Sequence, residues 1–245
     1  MDLAMPPTRK KIESNLELIR ERIASACAKR RRKPGAVRIV AVTKSADIEA
    51  LKIAVELGLT DLGESRSVQL GERAEEMAAW LQRRRTGGPV EVKWHMVGHL
   101  QRNKVRAVLP VVSCVHSVDS LRLAEEINVR AEKLSRVVDI FLQVNCSEEP
   151  EKSGCAVGAA QHLAGLVCTL KNLRLVGLMT MGPLSESPED ARPVFVRLRE
   201  IFEDIRHDGV GGDAFRELSM GMSQDYAIAV EEGATMVRIG SALFE

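Results

Sequence analysis

Short apolar runs alternate with amphipathic segments along the chain from Val37 onward. Such runs are typical of strands buried on both faces of a parallel sheet, and eight are predicted at 37–42, 59–62, 91–96, 111–116, 137–144, 173–178, 217–220 and 235–239. The segments between them have helical spacing and predict helices at 47–57, 66–84, 101–109, 119–134, 157–170, 189–206 and 224–232. Eight strands separated by helices predict an α/β fold, a (β/α)8 TIM barrel. An open doubly wound sheet is the alternative, but no G-x-G-x-x-G motif follows any strand.

An extra N-terminal helix is predicted at 9–32, where Ile12, Leu16, Ile19 and Ile23 recur at helical spacing. It ends in the basic run 29–33, which we interpret as a solvated helix terminus rather than a nucleic-acid patch, because cations suit the carboxyl end of a helix.

Four residues mark expected helix boundaries. Asp47 and Asp119 stand where N-caps belong, and Gly58 and Gly233 stand where helix-ending glycines belong.

Length and composition bound the class of protein. The 245 residues suffice for one barrel, so we expect a single domain over 1–245. A net charge of +1 and 3% aromatic residues do not indicate a nucleic-acid partner, and no apolar stretch is long enough to cross a membrane. The stretch 1–7 lacks the regions of a secretory signal. The cysteines have no C-x-x-C spacing, which argues against zinc and a redox dithiol and predicts reduced core cysteines in a cytoplasmic protein: Cys27, Cys114, Cys146, Cys155 and Cys168.

Lys44 directly follows the first predicted strand, at the edge where barrels keep their chemistry. Segments 218–225 and 237–242, at the ends of strands seven and eight, combine glycine with hydroxyl residues and suit a phosphate. A lysine with a pKa lowered by burial condenses with an aldehyde. A lysine opposite a phosphate cradle therefore points to pyridoxal 5′-phosphate, held as a Schiff base on Lys44. The alternatives are a surface lysine and a phosphate-binding isomerase that uses no cofactor.

Longer motifs carry a resemblance to a known family. They are AVTKS (41–45), WHMVGHLQRNK (94–104), HSVDSLRLAEEIN (116–128), QVNCSEEPEKSG (143–154), LRLVGLMTMGP (173–183) and LSMGMSQDYAIAVEEGATMVRIGSALF (218–244). In this order they closely resemble the pyridoxal-phosphate homeostasis protein family. The resemblance implies the barrel of the alanine racemase N-terminal domain, a bound cofactor without established catalysis, and a part in vitamin B6 balance.

The resemblance also implies a set of cofactor-binding residues. Lys44 matches the Schiff-base lysine, and Arg238 resembles the arginine that faces the pyridine nitrogen. Backbone N–H groups of Gly240 and Ser241, with the hydroxyl of Ser223, match the phosphate site. The remaining matches are Ser219, a second hydroxyl for the phosphate, and three residues at strand ends that line the pocket: Asn145, Met179 and Thr180.

The chain departs from the family pattern after the second strand. The family has Gly-Glu-Asn-Tyr where this chain has Gly63-Glu64-Ser65-Arg66, which puts the tightness of cofactor binding in doubt. Ser65 is expected to cap the following helix.

Three histidines, His95, His99 and His116, also fall near strand ends. The His-x-x-x-His spacing of the first two straddles a strand and a loop, so no metal is expected.

The expected activity follows from Arg238. An arginine opposes protonation of the pyridine nitrogen and so weakens the cofactor as an electron sink. The racemase takes its second base, a tyrosine, from outside the barrel, and Tyr226 of this chain is expected to be a core or surface aromatic. We therefore expect a cofactor-holding protein without strong catalysis, with a racemase-like enzyme acting on a small amino acid as the alternative. The expected partners are pyridoxal phosphate and apo-enzymes that receive it, and the expected state is a monomer.

Overall fold

The computed structural model describes residues 7–84, 88 and 90–245, so the stretch tested for a secretory signal lies outside it except for Pro7. Eight strands form a closed barrel in which each strand pairs in parallel with the next and β8 pairs with β1. The strands are β1 Arg38–Val42, β2 Asp61–Glu64, β3 Lys93–Met96, β4 Cys114–Val118, β5 Val138–Gln143, β6 Leu173–Met179, β7 Glu217–Ser219 and β8 Met236–Ile239. The predicted (β/α)8 barrel is confirmed, because every predicted apolar run contains or overlaps one strand.

Helices follow the strands around the barrel. Those within the described residues are α1 Arg9–Lys29, α2 Ile48–Glu56, α3 Ser67–Arg83, α4 Val105–Val108, α5 Leu121–Lys133, α6 Ala160–Cys168, α7 Arg192–His207, α8 Tyr226–Glu231 and α9 Ser241–Phe244. The predicted helix 101–109 is instead a 3-10 turn, Arg102–Lys104, that leads into the single turn of α4. The short α9 was not predicted, since four residues are too few for a periodic pattern. No helix among the described residues is long and apolar enough to cross a membrane.

Strand side chains alternate between the inside of the barrel and the surrounding helices. The inward set forms a small apolar cluster of Val40, Cys114, Phe141, Met179 and Met236. The outward set joins the helices in a much larger core. The inward residues therefore close the centre of the barrel and leave its two ends to polar groups.

The predicted helix boundaries are mostly confirmed. The carboxylate of Asp47 accepts a hydrogen bond of 2.8 Å from the Ala50 amide, and Gly58 follows α2 with φ +89°. Gly233 follows α8 with φ +107°.

Two predicted caps are wrong. The N-cap of α5 is Ser120 instead of Asp119. Arg66, instead of Ser65, precedes α3, because both the Ser65 and Arg66 amides are turned onto the Glu64 carboxylate.

Helix α1 packs on the barrel through an apolar face that includes Ile12, Leu16, Ile19 and Ile23. The basic run 29–33 is a mostly exposed helix terminus, as predicted, but it also contacts α8. Arg32 donates to the carbonyls of Val230 (2.8 Å) and Ala234 (2.7 Å), at the carboxyl end of α8, where helix carbonyls lack partners.

The rest of the basic run contributes ion pairs. Lys29 and Arg30 pair with Glu231 and Glu232 at 2.6 and 3.0 Å. Arg192 and Arg199 of α7 reach the same two glutamates. These charges fasten α1 and α7 to the end of α8.

The five cysteines are free thiols, as expected. Four are buried, whereas Cys168 is exposed. Burial raises the pKa of the Cys146 thiol to about 11 and that of Cys155 to about 12, so both are protonated near neutral pH.

Candidate functional site

The carboxyl ends of β1 and β8 lie side by side. Ala41 pairs with Ile239, and a Cβ on Gly240 would lie 3.4 Å from the carbonyl oxygen of Val42. The backbone after β8 therefore passes close to the end of β1, two residues before Lys44.

Lys44 lies in a tight turn that begins as β1 ends. The Ala46 amide bonds the Thr43 carbonyl at 3.0 Å, which closes the turn around Lys44 and Ser45. Lys44 is exposed and forms no hydrogen bond or ion pair with other described residues. The expectation that this side chain is buried is wrong, because the strand ends at the open mouth of the barrel.

Two charged residues hold the Lys44 turn from the side of α3. Arg73 donates to the carbonyls of Thr43 and Ala46, the latter at 3.0 Å, and to the Glu64 carboxylate at 3.0 Å. Glu64 is fully buried and accepts a 2.6 Å hydrogen bond from the Thr43 hydroxyl. We call Glu64 and Arg73 the turn clamp.

The turn clamp was not predicted from the sequence. Glu64 was noted only as part of a family motif, and Arg73 is one arginine among several on the helix that follows. A carboxylate on a buried strand was the signal that could have revealed Glu64, because such a charge needs a cationic partner.

Backbone N–H groups converge on the Ser223 hydroxyl. Its oxygen accepts from the amides of Gly240 (3.2 Å) and Ala242 (3.1 Å). Gly240 and Ser223 are thus brought together as predicted, while Ser241 is exposed and Ala242 was missed. Two amides aimed at one oxygen form a donor set suited to an anion.

The loop that carries Ser223 has a constrained backbone. Gly221 has φ +92°, and a Cβ there would lie 2.5 Å from the Ala229 Cβ and 2.9 Å from the Tyr226 Cα. The Asp225 carboxylate accepts a 2.6 Å hydrogen bond from the Met222 amide. Burial raises the pKa of Asp225, and the hydrogen bond from Met222 and the charge of Arg238 oppose that rise. Glycine and aspartate together set the path of this loop.

Arg238 lies inside the barrel, below the mouth. Its guanidinium is only 4% exposed and donates to the Ser219 hydroxyl at 2.7 Å and the Thr180 carbonyl at 2.9 Å. Burial lowers its pKa to about 10, against the opposing charge of Asp225. Arg238 therefore remains a cation at neutral pH.

Several predicted site residues have other contacts. Ser219 is buried between Arg238 and His116 (Oγ–Nδ1 2.9 Å) instead of facing the Ser223 loop. Asn145 donates to the carbonyls of Glu149 (2.9 Å) and Lys152 (3.3 Å) and so shapes its own loop.

The last two predicted pocket residues lie at the end of β6. Met179 belongs to the inward apolar cluster. The buried Thr180 hydroxyl donates to the Val144 carbonyl at 2.8 Å.

The histidines pair differently from their sequence spacing. His95 Nδ1 lies 2.9 Å from His116 Nε2, while His99 is exposed, with Nδ1 3.6 Å from Asp119. His95 and His116 both point inward from neighbouring strands, and this was the signal that could have predicted their contact. The ligand atoms of His95, Cys114 and His116 lie within 4.8 Å of one another. The two facing nitrogens already share a hydrogen bond, so this group is satisfied without an ion.

A cavity of about 520 Å³ opens at the end of the barrel opposite the Lys44 turn. It is lined by the first residues of the strands, among them Arg38, Asp61, Lys93, Asp139 and Glu217. Arg38 pairs with Glu217 at 2.7 Å. This charged end lies away from Lys44, Ser223 and Gly240.

Comparison with known proteins agrees with this fold. A sequence model described as "Alanine racemase, N-terminal domain" matches residues 9–245. A solved structure described as an unknown protein from Bifidobacterium adolescentis superposes with a TM-score of 0.90 at 37% identity, covering 96% of this chain and 95% of that one. The chain is thus a barrel of the alanine racemase N-terminal-domain class.

Relatives specify the family. Proteins named pyridoxal phosphate homeostasis protein are similar to this chain: that of Pseudomonas aeruginosa is 36% identical over 95% of this chain and 94% of its own length. That of Aquifex aeolicus is 34% identical over 94% and 95%. The chain belongs to the pyridoxal phosphate homeostasis protein family. The structure of PipY from Synechococcus elongatus, described with PLP bound, has a TM-score of 0.77 at 28% identity and covers 91% of this chain and 100% of that one.

Proposed function

We propose that this protein binds pyridoxal 5′-phosphate at the mouth formed by β1, β7 and β8, as a Schiff base on Lys44, and contributes to vitamin B6 homeostasis. One observation carries the proposal. The Lys44 turn, the amides of Gly240 and Ala242 with the Ser223 hydroxyl, and the Arg238 guanidinium all lie at the carboxyl end of the two adjoining strands β1 and β8 and of β7 beside them. The names of the relatives and the PLP-bound PipY structure support the same cofactor.

The donor set fits an aldehyde that carries a phosphate. Backbone amides of Gly240 and Ala242 already point at one oxygen, and a phosphate oxygen beside the Ser223 hydroxyl is an equivalent acceptor. The Ser241 amide, at the start of α9, adds a further donor. Gly240 lets the backbone after β8 approach the end of β1 closely, since a Cβ on this residue would lie 3.4 Å from the Val42 carbonyl oxygen.

Lys44 supplies the amine. Its Nζ would hold the cofactor at the aldehyde carbon, and the cofactor would supply the carbonyl chemistry there. The turn clamp fixes both ends of the turn, so the position of the Lys44 backbone does not depend on the ligand. The exposed lysine remains accessible to competing amines, which suits a protein that releases its cofactor to apo-enzymes.

Arg238 disfavours strong catalysis. The bound cofactor supplies an electron sink only as far as its pyridine nitrogen is protonated. Arg238 would lie against that nitrogen, as the family resemblance implies, and it is a cation whose two hydrogen bonds go to neutral oxygens. Tyr226 is buried in α8, and burial raises its pKa despite contact with Arg22 of α1, so it is a core aromatic as expected. The proposed role is therefore that of a cofactor carrier. The proposed state of the protein is a monomer, and its proposed location is the cytoplasm.

An absorbance titration tests the proposal. Wild-type protein mixed with pyridoxal phosphate should develop the near-visible band of a protein-bound Schiff base, and Lys44→Ala should lose it. Lys171→Ala is the matched control, because Lys171 is an exposed lysine that precedes β6, at the opposite end of the barrel. Equal spectra for Lys44→Ala and wild type would contradict the proposed attachment.

A proton-exchange assay separates carrier from racemase. The loaded protein should release no tritium from α-labelled amino acids above the rate of free pyridoxal phosphate. Release abolished by Lys44→Ala would favour the racemase-like alternative.

A further inference from the structure

An unbroken chain of hydrogen bonds crosses the inside of the barrel. Arg238 Nη1 lies 2.7 Å from Ser219 Oγ, which lies 2.9 Å from His116 Nδ1. His116 Nε2 lies 2.9 Å from His95 Nδ1, and His95 Nε2 lies 3.0 Å from Asp61 Oδ1. The chain joins five strands and connects the mouth near Lys44 to the charged cavity at the other end.

The direction of every bond in this chain follows from its two ends when each imidazole carries a single N–H. An arginine has only donors, and an ionised carboxylate has only acceptors. Ser219 then accepts from Arg238 and donates to His116, which donates through Nε2–H to His95, which donates through Nε2–H to Asp61. This arrangement places the N–H of each imidazole on Nε2.

The surroundings of His116 agree with a neutral ring. His116 is fully buried, and burial together with the charges of Arg238 and Arg38 holds its pKa well below the usual range. Burial would raise the pKa of Asp61, but the hydrogen bond from His95 and the nearby Arg38 and Lys93 keep it below the ordinary value. An ionised Asp61 can thus accept at one end of the chain.

Arg238 needs such a chain because its direct partners are neutral. A buried cation is normally paired with an anion. The guanidinium instead bonds one hydroxyl and one carbonyl. The charge of Asp225 acts on the guanidinium without a hydrogen bond. Asp61 is linked to the guanidinium only through the chain of hydrogen bonds.

We propose that Asp61, His95 and His116 are positioning residues that orient Ser219 and so hold the Arg238 guanidinium in place against the bound cofactor. This inference rests on the proposed function. It makes a carboxylate at one end of the barrel a determinant of cofactor binding at the other end. Phe141 supports it by packing on His116, with 4.4 Å between ring centroids.

Asp61→Asn and Asp139→Asn form a matched pair for the test. Both remove one carboxylate from the same cavity, but Asp139 pairs with Arg174 (2.5 Å) and lies outside the chain. Nitrogen-15 NMR of the full-length protein should report Nε2–H tautomers for His95 and His116 in wild type and Asp139→Asn. In Asp61→Asn the tautomers should become mixed, because an amide both donates and accepts.

The cofactor supplies the second measurement. Asp61→Asn should shift the absorbance maximum of bound pyridoxal phosphate and raise its dissociation constant about fivefold, while Asp139→Asn leaves both unchanged. His95→Gln, which interrupts the chain and leaves the Asp61 carboxylate in place, should act like Asp61→Asn and replaces it in the test if Asp61→Asn does not fold.

Three results would overturn the inference. A Nδ1–H tautomer in wild type contradicts the chain itself. If the wild type binds the cofactor and neither Asp61→Asn nor His95→Gln changes the spectrum or the dissociation constant, the positioning role alone is contradicted. Absence of cofactor binding by the wild type contradicts the proposed function and, with it, the positioning role.

Discussion

At the scale of single residues, Arg73 has a task that a lysine cannot perform. Its guanidinium meets two carbonyls of the Lys44 turn and the Glu64 carboxylate at once. A planar group with several fixed donors can span these acceptors, whereas the three donors of an ammonium all radiate from one nitrogen.

Arg73→Lys should therefore loosen the Lys44 turn while preserving the positive charge. We expect a dissociation constant for pyridoxal phosphate about tenfold higher than wild type, as for the loss of one charged hydrogen bond. A fluorescence titration measures this, with Arg83→Lys as the control, since Arg83 is exposed at the other end of α3. Unchanged affinity would mean that the turn holds its shape without Arg73.

Ser223 provides a second residue-scale prediction. Ser223→Ala removes the oxygen on which the Gly240 and Ala242 amides converge, and it also removes a donor to a bound phosphate. Affinity for pyridoxal phosphate should fall about tenfold. Affinity for pyridoxal, which lacks the phosphate, should change little. Ser241→Ala should behave like wild type toward both ligands, because the contribution proposed for Ser241 is its backbone amide.

At the scale of elements, α1 is held to the barrel by apolar packing. Leu16 is 2% exposed, whereas Leu18 on the other face of the same helix is 46% exposed. Leu16→Ala should lower the free energy of unfolding by about 3 kcal/mol. Leu18→Ala should change it by less than about 0.5 kcal/mol. Urea denaturation compares the two, and equal effects would show that α1 is not packed as described.

The ion pairs at the end of α8 predict a dependence on pH. Burial would raise the pKa of Glu232, but Arg192, Arg199 and Arg30 hold it below the ordinary value of 4.5. A carboxyl with a lowered pKa stabilises the fold above about pH 4.5, and this contribution is lost as the pH falls through the folded-state pKa.

Glu232→Gln should thus be less stable than wild type by about 3 kcal/mol at pH 7, because several arginines lose their buried partner. The difference should shrink as the pH falls below 4.5. Thermal unfolding at several pH values measures it. Glu203→Gln is the control, since that carboxylate is 65% exposed and lies 3.8 Å from Arg199. A difference independent of pH would contradict the role of the charge.

At the scale of the whole molecule, the proposed site bridges the place where the barrel closes. β1 and β8 are far apart in the chain, yet Lys44 follows one and Gly240 follows the other. A ligand that contacts both Lys44 and Gly240 should stabilise the closed barrel relative to the unfolded chain, because the two residues are not held together in the unfolded chain.

Saturating pyridoxal phosphate, at about a hundred times its dissociation constant, should raise the free energy of unfolding by about 2.7 kcal/mol. Thermal scans with and without the cofactor measure the shift in Tm. Lys44→Ala should lose most of it and Lys171→Ala should retain it. An equal shift in both variants would place the ligand elsewhere.

Much of the fold was predictable because it depends on local patterns. Buried parallel strands are apolar runs, and helices that cover them have one apolar face, so the strand positions and the barrel followed from residue order. The turn after β1 and the glycine loop after β8 were also predictable, because they are contiguous motifs. The caps at Asp119 and Ser65 failed, because neighbouring polar residues compete for the same amides and only the folded backbone selects between them.

The sequence by itself determined the alternation of strands and helices, the place of Lys44 at a strand end and the segments that form the anion cradle. Tertiary structure alone decided that Arg73 of α3 reaches the Lys44 turn, and that Asp61, His95, His116, Ser219 and Arg238 form one line across the barrel. The physical reason is closure of the sheet. Inward side chains from distant strands meet only when β8 pairs with β1, and burial then obliges each polar group to find a partner within that space.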